Sequence, residues 1–247
     1  MQFAGRAIVV DIEGTTSSIA FVHQVMFPFV RRELDAYLRS HWTDADVEQA
    51  CNQVAKDAGH ANFAAWLMLA GIAENDSAAA QELVKKEVHR LMDGDVKATG
   101  LKALQGLIWE AGFASGELVA DVFADVPPAL DAWNAAGKDV RVYSSGSIKA
   151  QLLFFGHTQF GNLLSKFRGH FDTTIGNKRE AASYGRIADA MGMPANEILF
   201  VSDLVAELDA AQKAGMQTAL TMRPGNPPLS AATTHPLIHS LAEIELA

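Results

Sequence analysis

The sequence predicts an α/β protein in which a doubly wound, mostly parallel sheet carries an inserted all-helical domain. An apolar run at Ala7–Val10 is typical of a short buried strand. The long stretch that follows contains helical patterns but no convincing strand. After residue 120, strand and helix patterns alternate, which is typical of a parallel sheet. We therefore predict a core of residues 1–16 and 117–247, with residues 17–116 inserted after its first strand.

Composition narrows the class of protein. The 247 residues, of which 49% are hydrophobic, suit one large globular domain or two modest ones. A net charge of −9 argues against a general nucleic-acid binder, although one lysine, a metal and backbone amides would still hold an anionic substrate. The lone Cys51 excludes an intrachain disulfide, which fits a reducing cytoplasm. The sequence contains no apolar run of membrane-spanning length and no signal-peptide layout near residue 1.

Helical patterns fill the inserted stretch. Apolar residues recur every four positions over Val22–Trp42, and Pro28 is expected to kink this helix or to start a new one. Further helices are predicted around Asp44–Ala58, Phe63–Ala70 and Ala78–Met92.

Strands and helices alternate in the second part of the chain. The predicted strands are Asp139–Tyr143, Ile198–Val201 and Gln217–Thr221, with a candidate short strand at Thr173–Ile175. The predicted helices are Pro127–Ala136, Ser147–Phe155, Lys178–Met191 and Leu204–Ala214. Asn177 is expected to cap the helix at Lys178, with Glu180 completing a capping box. The segment RPGNPP, Arg223–Pro228, is predicted to be a loop because of its turn residues.

Two carboxylates follow the first predicted strand. Residues i and i+2 of an extended segment point to the same side, so Asp11 and Glu13 would be presented together. Neighbouring acids repel unless a cation or a shared proton lies between them. Open α/β sheets bind ligands at the carboxyl ends of their strands. On this pattern alone, a solvated acidic strand exit is an equally good interpretation.

Three more polar groups stand beside predicted strand ends. Ser144 and Ser145 precede a helix N-terminus, where free N–H groups bind anions and where serines also serve as simple caps. Lys178 is predicted in the first turn of a helix, where most lysines are merely solvated. Asp203 leaves a buried strand and is also a candidate N-cap. Glu207 lies one turn later and either supports a site or favours the helix start.

This set of residues suits phosphate chemistry at one edge of the sheet. Oxygen ligands of this kind suit Mg²⁺, which proteins usually hold with one or two carboxylates, water and phosphate. An aspartate can attack phosphorus and form an aspartyl-phosphate, while a metal and a lysine offset the repulsion between the two anions. Glu13 could protonate the leaving oxygen and then activate water.

The motifs, in this order, resemble the haloacid dehalogenase superfamily of phosphotransferases. Within it, the segments DIEGTTSSIAFVHQVMFP, YSSGS, GNKREAASYGRIA, FVSD and RPGN resemble the enolase-phosphatase family, and the similarity covers nearly the whole chain. Glu13 stands where the usual superfamily motif has a second aspartate. The acidic pair of many fourth motifs is here Asp203 with the more distant Glu207.

The resemblance implies a Rossmann-like core, a helical cap and one Mg²⁺ per subunit. It also implies enolisation and then dephosphorylation of 2,3-diketo-5-methylthiopentyl-1-phosphate, by a monomer. Composition and charge add the expectation of a cytoplasmic protein with no nucleic-acid or membrane partner. Asp11 would be the nucleophile and a metal ligand, and Glu13 the acid/base and a contributor to the metal site through its backbone carbonyl. Asp203 would complete the metal site. The groups that would bind the substrate or its phosphate are Ser144, Ser145 and Lys178.

Alternatives remain open at this point. A phosphatase of the same fold acting on another small phosphate ester would share the core motifs. A metal-free dehalogenase would need neither Glu13 as acid/base nor Asp203 as metal ligand. A non-catalytic binding module would be expected to lack at least one of Asp11, Glu13, Lys178 and Asp203, all of which are present. A helical scaffold would not explain the motifs at the strand ends.

Overall fold

The computed structural model describes residues 1–229 and 231–247, which form two compact units. One unit, here the sheet unit, comprises Met1–His23 and Val119–Ala247; the other, the helical unit, comprises Gln24–Leu118. Over the described residues, no helix has the length and apolar character needed to cross a membrane.

A six-stranded parallel sheet forms the centre of the sheet unit. A separate short parallel pair joins β1 (Gln2–Phe3) to β8 (Glu245–Leu246). The strands of the main sheet are β2 (Ala7–Val10), β3 (Asp139–Tyr143), β4 (Gly169–Phe171), β5 (Ile198–Ser202), β6 (Gln217–Thr221) and β7 (Leu237–Ile238). Their spatial order is β4-β3-β2-β5-β6-β7. This arrangement confirms the predicted fold class.

The register of the sheet brings three strand ends to one edge. Val10 pairs with Val142 on one side and with Val201 on the other, so the residues that follow these three positions are neighbours. The N–H of Asp11 donates to the carbonyl of Val201 at 3.0 Å, which extends the ladder by one residue. All four residues of β2 are buried, as expected for a central strand covered on both faces.

Helices flank the sheet. Those of the sheet unit are α1 (Ile19–Phe21), α7 (Val126–Ala135), α8 (Ile148–Gly156), α9 (Ala181–Met191) and α10 (Val205–Lys213). Tyr143, Tyr184 and Phe200 pack edge-on or tilted between β3, β5 and α9, with ring centroids 5.0–6.2 Å apart. This aromatic cluster lies beneath the strand ends that carry the polar residues.

Three local predictions near Lys178 are wrong: the short strand, the start of the helix and the cap of the helix. The strand lies at β4, before the predicted Thr173–Ile175, which forms a turn. Helix α9 begins at Ala181, so Lys178 precedes it, and Asn177 does not cap it. Instead, the Asn177 side chain accepts a hydrogen bond from the N–H of Arg179 at 2.9 Å, which makes a local turn.

The helical unit contains five helices within its described residues. They are α2 (Phe27–His41), α3 (Ala45–Asp57), α4 (Phe63–Leu69), α5 (Ser77–Asp93) and α6 (Thr99–Ser115). A π-helical segment, Val22–Met26, precedes α2, and Pro28 falls in the first turn of α2, as the sequence predicts for a fresh start. Helix α6 packs closely on α3, since a Cβ on Gly100 would lie 2.4 Å from the nitrogen of Val54.

Candidate active site

Asp11 occupies the end of the central strand in a buried position. Its side chain is held at both oxygens: Oδ1 accepts from the N–H of Ile12 at 2.7 Å, and Oδ2 lies 2.7 Å from Lys178 Nζ. The hydroxyl of Thr16 donates to the Asp11 carbonyl at 3.0 Å. The carboxylate is therefore fixed in orientation at the edge of the sheet.

Lys178 lies between two carboxylates. Its Nζ is 2.7 Å from Asp11 Oδ2 and 2.7 Å from Glu207 Oε2, and both side chains of each pair are 7% exposed. Burial alone would lower the pKa of Lys178, but the charges of the two carboxylates outweigh burial and raise it. The lysine therefore stays charged in a buried place.

The backbone around Lys178 is held from the aromatic cluster. The hydroxyl of Tyr184 donates to the Lys178 carbonyl at 2.7 Å, and that of Tyr143 donates to the Gly176 carbonyl at 2.9 Å. Lys178 Nζ also lies 5.6 Å from the Tyr143 ring centroid. The sequence analysis did not single out these tyrosines. They support Lys178 in place of the helical turn in which the sequence had predicted it.

Glu207 belongs to the same cluster. It lies in the first turn of α10, and its Oε2 accepts from the hydroxyl of Ser202 at 2.9 Å as well as pairing with Lys178. Burial, followed by the charge of Asp11, raises the pKa of Glu207. The sequence left open whether Glu207 supports a site or only favours the start of a helix. The structure shows that it contacts Lys178.

Asp203 lies against the turn that follows Asp11. Gly14 has φ +67°, and a Cβ built on it would lie 2.3 Å from Asp203 Oδ2, so the turn accepts only glycine here. Burial, and then the negative charges of Asp11 and Glu207, raises the pKa of Asp203 to about 7. Helix α10 is not capped by Asp203, because Leu204 occupies the N-cap position.

Asp11, Lys178, Asp203 and Glu207 form a group, here the strand-end cluster, that carries more negative than positive charge. Three carboxylates, those of Asp11, Asp203 and Glu207, surround the single ammonium of Lys178. A divalent cation would neutralise this excess, and the oxygen donors are of the type that Mg²⁺ prefers. No group of three or more His, Cys, Asp or Glu side chains among residues 1–229 and 231–247 is already arranged around a metal position. A metal held here by Asp11 and Asp203 would therefore need backbone oxygen or water as further ligands.

The other predicted site residues stay predictions. Ser144 is buried; its N–H donates to the Phe171 carbonyl at 3.2 Å, and its hydroxyl accepts from the N–H of Gly146 at 3.3 Å. Ser147, rather than Ser144 or Ser145, caps α8. Ser145 is exposed and Glu13 is half-buried. Ser144 directly follows β3, the neighbour of β2, which is where the motif predicts a phosphate contact.

Comparison with known proteins identifies the family. A model of the haloacid dehalogenase-like hydrolases matches residues 6–215. A protein of Stenotrophomonas maltophilia strain K279a named enolase-phosphatase E1 is 43% identical over 98% of this chain and 99% of its own. One of that name from Sorangium cellulosum is 46% identical over 89% of each. The chain belongs to the enolase-phosphatase E1 family of haloacid dehalogenase-like hydrolases.

A solved structure supports the same assignment. The crystal structure of the UTR4 protein of Saccharomyces cerevisiae is 31% identical, with a TM-score of 0.76 over 96% of this chain and 98% of that one. A structure described as a dehalogenase has a TM-score of 0.53 at 20% identity, and this likeness shows only the shared fold. The resemblance seen in the sequence motifs is therefore confirmed.

Proposed function

We propose that this protein is an Mg²⁺-dependent enolase-phosphatase that acts on 2,3-diketo-5-methylthiopentyl-1-phosphate. It enolises this substrate and then removes the phosphate, which gives the acireductone 1,2-dihydroxy-3-keto-5-methylthiopentene in methionine salvage. The names of its relatives support the reaction. The contact that carries the proposal for this chain is the 2.7 Å approach of Lys178 Nζ to Asp11 Oδ2 in a buried site.

Asp11 is the nucleophile in the phosphatase step. One of its carboxylate oxygens attacks phosphorus, and an aspartyl-phosphate forms as the bond between phosphorus and the substrate oxygen breaks. The hydrogen bond from Ile12 and the ion pair with Lys178 hold the carboxylate ready for attack. The charge of Lys178 offsets that of the phosphoryl group as the two anions meet.

Glu13 moves the protons. It donates one to the substrate oxygen as that oxygen leaves, and it then accepts one from the water that attacks the aspartyl-phosphate. The second attack releases inorganic phosphate and restores the Asp11 carboxylate. The position of Glu13, two residues beyond Asp11 and half-buried, supports this role. Ser144 and Ser145 bind the substrate phosphate from the end of β3.

Asp11, Asp203 and Glu13 hold one Mg²⁺ in this proposal. The excess of carboxylates around Lys178 supports a divalent cation at this edge. When bound, the metal supplies charge neutralisation to the phosphate and polarises a substrate oxygen. The helical unit is the cap of this proposal.

The molecular setting completes the proposal. The protein acts as a cytoplasmic monomer on a small phosphorylated diketone, without a nucleic-acid partner and without attachment to a membrane. Its net charge of −9 supports the absence of a nucleic-acid partner, because such a partner requires a basic surface.

A phosphatase that acts on another small phosphate ester is the nearest alternative. The strand-end residues would serve it equally well, because they address the phosphate and not the carbon skeleton. The relatives at 43% and 46% identity over most of the chain favour the diketone phosphate.

Phosphate release and ultraviolet absorbance of the enol, measured together, test the proposal. With the diketone phosphate and Mg²⁺, absorbance is expected to rise before or with phosphate, and chelation of Mg²⁺ is expected to stop phosphate release. Rapid phosphate release from sugar phosphates, with none from the diketone, would favour the alternative.

A further inference from the structure

Three side chains that lie after Glu207 in the sequence bind the backbone of the turn that follows Asp11, here the Asp11 turn. The hydroxyl of Thr221 donates to the Gly14 carbonyl at 3.1 Å, and the amide of Asn226 donates to the same oxygen at 2.9 Å. Arg223 Nε donates to the Thr15 carbonyl at 2.9 Å. Two adjacent carbonyls of the turn are thus held by β6 and the loop after it, and we call these three side chains the turn clamp.

The turn clamp acts on the part of the backbone that touches Asp203. Gly14 packs so tightly against this aspartate that a Cβ would come within 2.3 Å of Oδ2. Glu13, the proposed acid/base and ligand, is joined to Gly14 by one peptide bond. A shift of the Gly14 carbonyl would therefore move both the Glu13 carbonyl and the surface that faces Asp203.

Arg223 is itself firmly anchored. Its side chain is 3% exposed, and its Nη1 donates to Asp125 Oδ2 at 2.9 Å and to the His239 carbonyl at 3.0 Å. Among the described residues, the two buried side-chain polar atoms without a hydrogen-bond partner, Arg223 Nη2 and Asn226 Oδ1, both belong to the turn clamp. Buried polar groups that lack partners cost stability, and proteins tend to keep such costly groups only at functional sites.

We infer that Thr221, Arg223 and Asn226 are positioning residues that set the distance between the Asp11 turn and Asp203, and so the affinity of this site for Mg²⁺. The inference rests on the proposed function, since it assumes that the site binds Mg²⁺. Outer residues that orient a metal's ligands typically change metal affinity about 10–100-fold when they are replaced.

The first test compares two asparagines that make the same kind of contact. The amide of Asn226 donates to the carbonyls of Gly14 and Thr221, and that of Asn134 donates to those of Leu130 and Lys166, at the end of α7. The melting temperature is recorded against MgCl₂ concentration, without substrate, for the whole protein and for Asn226→Ala and Asn134→Ala. The melting temperature rises with the logarithm of the Mg²⁺ concentration once that concentration exceeds the Kd. The concentration at which this rise begins is expected to be about tenfold higher in Asn226→Ala and unchanged in Asn134→Ala.

A second pair keeps the test valid if Asn226→Ala folds poorly. Thr221→Val removes the hydroxyl with little change of volume, whereas Thr221→Ser keeps it. In Thr221→Val, the Mg²⁺ concentrations needed to raise the melting temperature and to support phosphate release are expected to increase severalfold. In Thr221→Ser, both concentrations are expected to match those of the unchanged protein.

The outcomes separate this inference from the proposed function. If Asn226→Ala and Thr221→Val lose stability but bind Mg²⁺ as the unchanged protein does, the turn clamp is only structural and the inference fails, while the proposed function stands. If the unchanged protein shows no response to Mg²⁺, the proposed metal site is wrong and the inference falls with it.

Discussion

Two ionic clusters lie beside the same sheet, and they differ in charge balance. In the strand-end cluster, the carboxylates of Asp11, Asp203 and Glu207 share the single cation of Lys178. In the second cluster, Asp125 Oδ2 alone accepts from Arg223 Nη1 at 2.9 Å and from the hydroxyl of Ser240 at 2.8 Å, and the N–H of Leu241 adds a third bond at 2.7 Å.

The pKa values move in opposite directions for this reason. Burial, followed by neighbouring negative charge, raises the pKa of Asp203 to about 7. Burial alone would also raise the pKa of Asp125, but the hydrogen bond from Arg223 and the other donors lower it. A balanced cluster stabilises the fold, whereas one with excess carboxylate costs stability and is ready to accept a cation. This difference supports the proposal that the strand-end cluster is the catalytic one.

Among variants of the two clusters, Asp11→Asn is expected to have the largest effect. This change removes the proposed nucleophile but keeps the shape of the side chain, so phosphate release is expected to fall by about 10⁴-fold or more. The matched control is Asp139→Asn, since Asp139 is also buried, pairs with Arg141 at 2.9 Å, and begins β3 at the opposite end of the sheet. The control is expected to retain activity; comparable losses in both variants would mean that Asp11 has no special role.

The balanced cluster is expected to matter for stability. Asp125→Ala leaves the guanidinium of Arg223 buried without its carboxylate, which should lower the free energy of unfolding in urea by about 2–3 kcal/mol. Asp131→Ala, which breaks an exposed pair between Asp131 of α7 and Lys166, should have little effect. Equal losses in the two variants would show that burial of the Asp125 pair adds nothing.

The pH dependence of stability sharpens the comparison further. The pKa of Asp125 is lower in the folded protein than in the unfolded chain, so its contribution is fully present above the unfolded value of about 4 and is lost as pH falls through the folded value. The difference in unfolding free energy between the unchanged protein and Asp125→Asn should be constant from pH 8 to pH 5 and shrink towards pH 3. If the difference grew as the pH falls, the pKa of Asp125 would be higher in the folded protein than in the unfolded chain, which would contradict this prediction.

The smallest expected effect is a gain. Asp203→Asn removes one of the excess negative charges, so in a chelator the variant should be more stable than the unchanged protein, by about 1 kcal/mol. It should also lose the rise in melting temperature that MgCl₂ gives the unchanged protein. A variant that is less stable in the chelator would mean that the strand-end cluster is already balanced without a metal.

Regular periodic elements could be predicted from the sequence. The bounds of β2, β3 and β6 agree with the predicted strands, because buried parallel strands are short apolar runs. Helix α6 was not singled out, because it is apolar on most sides and contains three glycines. Its glycines allow close packing on α3, which is a tertiary effect that helix propensity does not capture.

The site was only partly predictable. The proximity of Asp11 and Asp203 could be predicted, because both follow parallel strands that end at the same edge of the sheet. The register of β2 and β5 places these two strand ends side by side. The wrong cap at Asn177 arose because a local turn and a helix start have the same sequence signature. The turn clamp was missed because Arg223 and Asn226 are separated from the Asp11 turn by most of the chain, and the loop pattern carries no sign of that contact.

The central claim is that Asp11 becomes phosphorylated during turnover. Borohydride reduces an acyl phosphate to an alcohol, so acid-quenched or borohydride-treated protein, taken during turnover with Mg²⁺ and the diketone phosphate, can be mapped by peptide mass spectrometry. We predict reduction at Asp11 alone, and none in Asp11→Asn. Continued phosphate release with an unmodified Asp11, or with the modification on another carboxylate, would contradict the account.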